Sequence, residues 1–262
     1  MRILVTNDDG MGSPGLWQLA RAMAEVGETV VAAPNRDMSG SAAAMMLKRP
    51  VRVRELKARG RGGLTAHSVG APPASCVLLA LRGAIPGGPF DLIVSGINSG
   101  ANVGRDALLS GTVGAALVAA MEGIPALAVS ILRNAEDTWD WPTAAGVAAR
   151  LARKIRDEAP AKKMLLNVNL PALPGAKLAG VRLTHLSRDC CLAGLSVQPH
   201  EARPGTYRFR TERLIPSGDD VGSDEWAIAN GFVSLTALTP DIGHVRDPEL
   251  FSTWLADLLP DR

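Results

Sequence analysis

The chain has 262 residues, of which 47% are apolar and 21% charged, with aromatic residues at only 4%. That length supports a full hydrophobic core, and the composition excludes wholesale disorder, collagen-like repeats and a disulfide scaffold. A formal net charge of +2 is too small for a surface that neutralises the many phosphates of a nucleic-acid polymer or a membrane.

The first predicted element is a short buried strand, Ile3 to Thr6, ending in Asn7-Asp8-Asp9-Gly10. A parallel strand meets the loop at its carboxyl end in this way. Pro14 and Gly15 open a helical pattern with Leu16, Leu19, Ala20 and Met23 on one face and Gly27 as its stop. Thr29 to Ala33 is the next strand. After the polar loop Pro34 to Ser41, a basic stretch from Lys48 to Arg61 includes Val51-Arg52-Val53-Arg54, which alternates like a half-exposed strand. Pro72 and Pro73 start a helix through Leu79, and Asp91 to Ser95 is a buried strand. The pattern continues with a helix over Thr112 to Met121, a strand over Ala126 to Ile131, a helix over Ala144 to Ile155 and a strand over Met164 to Val168.

Strands alternating with helices imply an α/β fold: a Rossmann-like, mostly parallel sheet with helices on both faces. Residues 1–170 are expected to form this unit. Beyond Pro171 the segments shorten and alternate, as in Tyr207 to Arg213 and Gly231 to Leu238, with turns at Pro204-Gly205 and Ser217-Gly218 and a last helix from about Pro248. Residues 171–262 are therefore expected to form a smaller β-rich arm that joins subunits in a homodimer or homotetramer.

Ligands of a doubly wound sheet lie outside the carboxyl ends of its strands, where three loops are unusual. In the first, Asp8 and Asp9 would repel each other in a low-dielectric site unless a cation lay between them, and oxygen ligands suit Mg²⁺ or Mn²⁺. The bland alternative is a helix cap. In the second, Ser39 offers a neutral oxygen, and Gly40 and Ser41 offer backbone and hydroxyl donors for a phosphate, although Ser-Gly-Ser is also ordinary turn chemistry. The third runs from Ser95 through Asn98 to Asp106 and then Ser110-Gly111-Thr112. Asn98 brings an amide to the strand end, and Ser110, Gly111 and Thr112 put hydroxyls and N–H groups at a positive helix terminus.

Gly10-Met11-Gly12-Ser13-Pro14-Gly15 spells a dinucleotide-binding fingerprint. An NAD(P)-dependent oxidoreductase using Gly10, Gly12 and Gly15 is thus one alternative, opposed by the two aspartates before the glycines and by Ala32-Ala33-Pro34 where a ribose-binding acid belongs. A non-catalytic nucleotide-binding regulator is the other. Four scattered histidines and the lack of a G-x-S-x-G elbow argue against zinc or serine hydrolysis. The pair has no D-x-D spacing, so direct attack by water is preferred to an aspartyl-phosphate. Three cysteines without metal or disulfide spacing, no apolar run of about 18 residues and no signal-like start point to the cytoplasm.

With these segments in order, the chain resembles the SurE (survival protein E) family of metal-dependent nucleotidases and acid phosphatases. The resemblance rests on Thr6-Asn7-Asp8-Asp9-Gly10 with Pro14-Gly15, Ala33-Pro34 with Ser39-Gly40, and Ser95-Gly96-Ile97-Asn98 through Asp106. Ser110-Gly111-Thr112-Val113, Gly123-Ile124-Pro125-Ala126 leading to Ser130, and more weakly Gly231 to Thr236 complete it. It implies one divalent cation, Mg²⁺ or Mn²⁺, per subunit on Asp8, Asp9, Ser39 and Asn98, with Asp8, Asp9 and Asn98 as the catalytic residues. The phosphate would sit at Ser110, Gly111 and Thr112, with Gly40, Ser41 and Asn98 beside them. The expected substrates are nucleoside monophosphates, 5′ and also 3′, and the expected assembly is a homodimer or larger.

Overall fold

The computed structural model describes residues 1–56, 63–134, 136, 138–158, 164–189, 194–200, 203–211 and 219–241. Cys190, Cys191, the Ser217-Gly218 turn, His244 and the predicted helix from Pro248 lie outside them.

A nine-stranded sheet organises the chain, in the order β3-β4-β2-β1-β5-β6-β7-β11-β8. Its central strands are β1 (Arg2–Thr6), β2 (Glu28–Pro34), β4 (Thr65–Val69), β5 (Leu92–Ser99), β6 (Ala126–Ile131) and β7 (Leu165–Leu170), all parallel. On one edge β3 (Val53–Leu56) runs antiparallel to β4. It is the half-exposed strand expected of the Val-Arg alternation. On the other edge β11 (Phe232–Leu238) runs antiparallel to β7, and β8 (Gly180–Thr184) runs parallel to β11.

Period-two alternation divides the apolar residues of each strand between two helical layers. Ile3, Val5, Val31 and Val94 face α1 (Pro14–Ala24) and α4 (Trp141–Glu158), whereas Leu4, Val30, Ala32 and Ile93 face α2 (Pro73–Leu81) and α3 (Gly111–Met121). The second layer is built largely of alanine and valine, which lets helices and sheet approach closely. Among the described residues no helix is long and apolar enough to cross a membrane.

Three elements depart from the sequence reading in ways that matter. β5 does not stop at Ser95 but continues to Ser99, because a bulge between Gly96 and Asn98 carries the pairing past an irregularity. Gly96 adopts φ +138°, and a Cβ there would lie 2.3 Å from the Val129 carbonyl oxygen, so only glycine fits. Asn98 therefore stands on a strand end, paired with Ser130. The helix expected over Ala144 to Ile155 runs from Trp141 to Glu158. Finally, the chain after Pro171 is divided. β8 and β11 belong to the main sheet, a short helix α5 (Asp224–Ala229) precedes β11, and β9 (Leu195–Pro199) with β10 (Tyr207–Thr211) forms a two-stranded antiparallel ribbon apart from it.

Candidate active site

β1 lies between β2 and β5, and the strand order changes direction there, so the switch point where such sheets bind ligands lies at the carboxyl ends of β1 and β5. All three loops singled out in the sequence end up around it.

The first loop is a tight turn. Gly10 N–H donates to Asn7 Oδ1 at 3.1 Å, and Gly10 takes φ +89°. A Cβ on Gly10 would lie 2.8 Å from the backbone of Arg36, so the first and second loops pack main chain to main chain. Met11 N–H donates to the Pro34 carbonyl at 2.9 Å, and Met38 N–H to the Asp8 carbonyl at 2.8 Å. Asp8 and Asp9 are held on this platform. They do not cap α1: its cap position is Ser13, and no acidic residue stands in its first turn.

Both carboxyls are costly to ionise as they stand. Asp8 is buried, and desolvation raises its pKa despite the hydrogen bond from the Thr112 hydroxyl to Asp8 Oδ1. Asp9 is pushed up to about 6, first by desolvation and then by the charge of Asp8. Asp9 Oδ1 accepts a hydrogen bond from Ser99 Oγ at 3.2 Å, whereas Asp9 Oδ2 is buried with no partner at all. Two crowded carboxyls, one with an orphaned oxygen, fit a divalent cation, which would stabilise both anions at once. Among the described residues no group of three or more His, Cys, Asp and Glu forms a metal cluster. The remaining ligands would thus be neutral oxygens, a set that suits a hard ion.

Ser39 and Asn98 are each next in sequence to a residue that bonds the pair: Met38, whose N–H goes to the Asp8 carbonyl, and Ser99, whose hydroxyl goes to Asp9. Ser39 is exposed, and its hydroxyl donates to Asp37 Oδ1 at 2.6 Å, which leaves its lone pairs for a ligand. Asn98 uses one amide N–H on the Gly100 carbonyl at 2.8 Å, which leaves its amide oxygen and its second N–H for a ligand. Gly40 takes φ +73° in open space. Ser41 Oγ is buried without a partner beside the start of α3, the position a phosphate-facing hydroxyl would occupy.

The start of α3 closes the site. Ser110 is its cap residue, and its hydroxyl accepts from Val113 N–H at 3.1 Å. Gly111 lies directly against Asp8 and Ser41. Thr112 is fully buried, and its hydroxyl is committed to Asp8. Its hydroxyl and its backbone N–H both serve the Asp8 carboxylate, so the sequence expectation of Thr112 as a phosphate donor is corrected to that of a residue holding Asp8, and the Gly111 N–H stands beside it at the positive helix end.

Sequence reasoning missed several contributors. Asp37 orients Ser39 and adds negative charge near both aspartates, and Ser99 holds Asp9. An aspartate two residues before a serine is a recognisable turn signal. Nothing local marks Ser99, whose role depends on how far β5 extends. The glycine fingerprint has a packing explanation. Gly10 meets the Arg36 backbone, and Gly15 meets the Ile97 carbonyl and the Trp141 ring. Gly12 has nothing within 4 Å. Two of the three glycines thus serve protein packing rather than a pyrophosphate.

The sequence model described as "Survival protein SurE" matches residues 3–191. The chain is 40% identical over 238 residues to "5'-nucleotidase SurE" of Dehalococcoides mccartyi strain CBDB1, covering 91% of this chain and 88% of that protein. The same identity and coverage hold for the protein of that name from strain ATCC BAA-2266 / KCTC 15142 / 195. In structure the chain is similar to the SurE protein of Aquifex aeolicus, with a TM-score of 0.79 and 28% identity over 98% of this chain and 100% of that one. A match through the three loops and most of the sheet, with the fold shared along nearly the whole length, places this chain in the SurE family.

Proposed function

We propose that this chain is a metal-dependent phosphomonoesterase that hydrolyses nucleoside monophosphates, 5′ and also 3′, to nucleoside and inorganic phosphate. The observation that carries the reading is the Asp8-Asp9 pair, Asp8 buried and Asp9 half-buried with one orphaned oxygen, facing a helix start at the switch point of the sheet. The relatives named 5'-nucleotidase SurE support the substrate class. No observation favours a nicotinamide-dependent oxidoreductase.

In this reading Asp8, Asp9, Ser39 and Asn98 hold one Mg²⁺ or Mn²⁺ per subunit. When bound, that ion supplies Lewis acidity and charge neutralisation to the phosphoryl group. The Gly111 N–H and the hydroxyls of Ser110 and Ser41 receive the phosphate oxygens, with the Gly40 backbone at the rim, while Thr112 supports them by holding Asp8. These donors are fixed before substrate arrives, so they stabilise the charge that builds on phosphorus without reorganising. The aspartate pair accepts the hydrogen of a water and aligns it for attack. That water's oxygen bonds to phosphorus as its proton passes to a carboxylate of the pair, the ester P–O bond breaks, and the departing sugar oxygen takes up a proton from solvent while the carboxyl gives its own back to solvent. Phosphate release measured across 5′- and 3′-nucleoside monophosphates and non-nucleotide phosphate esters tests the substrate class. Faster turnover of nucleotides is expected, and equal rates throughout would remove the nucleotide specificity.

The assembly belongs to the same proposal. A two-stranded ribbon is marginal alone in water, and β9-β10 exposes Val197, Tyr207 and Phe209 while β8, at the edge of the main sheet, exposes Val181 and Leu183. These surfaces suit a partner subunit in a homodimer or homotetramer. Excision of residues 194–211 is expected to convert the oligomer to monomer in sedimentation, and a full-length protein that is monomeric at micromolar concentration would refute this arrangement. The location we assign is the cytoplasm. The thiol of Cys76 is free and buried, its pKa raised by desolvation, so it is inert.

A further inference from the structure

β6 and β7 carry polar side chains where an α/β core is otherwise aliphatic. Ser130, Asn167 and Asn169 are all fully buried, and all three converge on one residue of the third loop, Asn102. Asn102 backbone N–H donates to Asn169 Oδ1 at 2.7 Å, and Asn169 Nδ2 donates back to the Asn102 carbonyl at 3.1 Å. Asn167 Nδ2 donates to the same carbonyl at 2.8 Å, and Asn102 Nδ2 donates to Ser130 Oγ at 2.8 Å.

Burying such groups costs about 1–3 kcal/mol for each one left unpaired, and Asn167 Oδ1 does lack a partner. Aliphatic residues would hold β6 against β7 without that cost. The four bonds instead fix a backbone that has no regular structure of its own. Gly104 N–H, donating to the buried Asp224 Oδ2 at 2.8 Å, pins the same loop two residues further on. Upstream of the clamp stand Asn98 and Ser99, and Ser99 donates to Asp9 Oδ1. Downstream the chain enters α3 at Ser110.

We propose that Asn169, assisted by Asn167 and Ser130, is a positioning residue for the hydrolysis: by clamping Asn102 it sets where Asn98 and Ser99 meet the Asp8-Asp9 pair. The inference rests on the phosphatase reading above. Asn169 acts through the loop and contacts neither phosphate nor ion.

The test compares wild type with Asn169→Leu and Ser130→Ala in the full chain. Each variant is first checked for a cooperative melt and then studied well below its Tm. Mn²⁺ alone is titrated calorimetrically, and kcat and KM are measured with a nucleoside monophosphate. Asn169→Leu is expected to lower kcat about tenfold or more, with a smaller change in KM, and to weaken Mn²⁺ binding about threefold or more. Ser130→Ala, which removes one of the four bonds, should shift both quantities the same way by less, and it decides the question if Asn169→Leu does not fold. A purely structural role would lower Tm and leave kcat and the Mn²⁺ Kd of the folded variant within twofold of wild type, and that result overturns the inference. A wild type that releases no phosphate from any nucleotide overturns the phosphatase reading and this inference with it; an active wild type with unaffected variants overturns the clamp alone.

Discussion

Replacing Asp9 with Asn should abolish metal-dependent phosphate release, a loss on the order of a thousandfold or more, because it removes an anionic ligand where neutral oxygens alone remain to support Asp8. The same substitution should leave the metal-free protein as stable as wild type or more stable. The sign follows from the raised pKa of Asp9, about 6 against its ordinary 3.8. Well below 3.8 the carboxyl is protonated in both folded and unfolded chains and carries no penalty. As pH rises from there through about 6, the unfolded chain releases its proton first, and stability is progressively lost. Above that range the penalty is constant, on the order of 1 kcal/mol once solvent screening of a partly exposed carboxylate is allowed for. Melts in chelator should therefore nearly coincide for wild type and Asp9→Asn near pH 4, roughly the carboxylate range, and separate in favour of the variant at neutral pH. A helix cap would behave in the opposite way: its loss would cost about 0.5–2 kcal/mol and spare catalysis.

Gly111→Ala should be nearly as damaging, although on an isolated helix the change would stabilise by about 0.5–1 kcal/mol. A Cβ on Gly111 would lie 2.7 Å from Ser41 Oγ and 2.8 Å from both Cβ and Oδ2 of Asp8. Asp8 cannot swing aside easily, because it is buried and bonded to Thr112, the next residue of the same helix. Either the carboxylate or the helix start must move, at a cost of about 1–3 kcal/mol of overpacking. A displacement approaching 1 Å at the reacting centre should lower kcat/KM roughly a hundredfold. Gly146 in α4 is the control, since a Cβ there meets nothing within 4 Å. Gly146→Ala should be fully active and no less stable. Normal kcat/KM in Gly111→Ala would remove the start of α3 from the site.

Most of the central sheet was legible because β1, β2, β5, β6 and β7 are short apolar runs closed by turn residues, and because Pro14 and Pro73 mark helix starts; β4 was not, since Thr65-Ala66-His67-Ser68-Val69 carries three polar residues. The three loops were legible for a related reason: paired aspartates, glycines and hydroxyls at strand ends have few structural uses. The extent of β5 was not, since Gly96 and Asn98 resemble loop residues until the bulge supplies Asn98 with a partner strand. Nor could the sequence divide the chain after Pro171, where β8, β9, β10 and β11 are all short and alternating. Whether such a strand joins a sheet or forms a ribbon depends on distant partners. The clamp on Asn102 was hidden for the same reason, its partners lying 28 to 67 residues away along the chain. The sequence placed Thr112 beside the three loops, but the destination of its hydroxyl, Asp8 rather than a ligand, was visible only in the fold.

Metal dependence of wild-type turnover tests the account most directly. The protein is stripped with a chelator, dialysed into metal-free buffer, and assayed for phosphate release from a nucleoside monophosphate before and after readdition of Mg²⁺ or Mn²⁺. The Asp8-Asp9 site predicts no release from the stripped protein, recovery with either ion, and a rise in Tm on adding the ion alone, because binding relieves the repulsion between the two carboxylates. Undiminished phosphate release from the rigorously metal-free protein would contradict it.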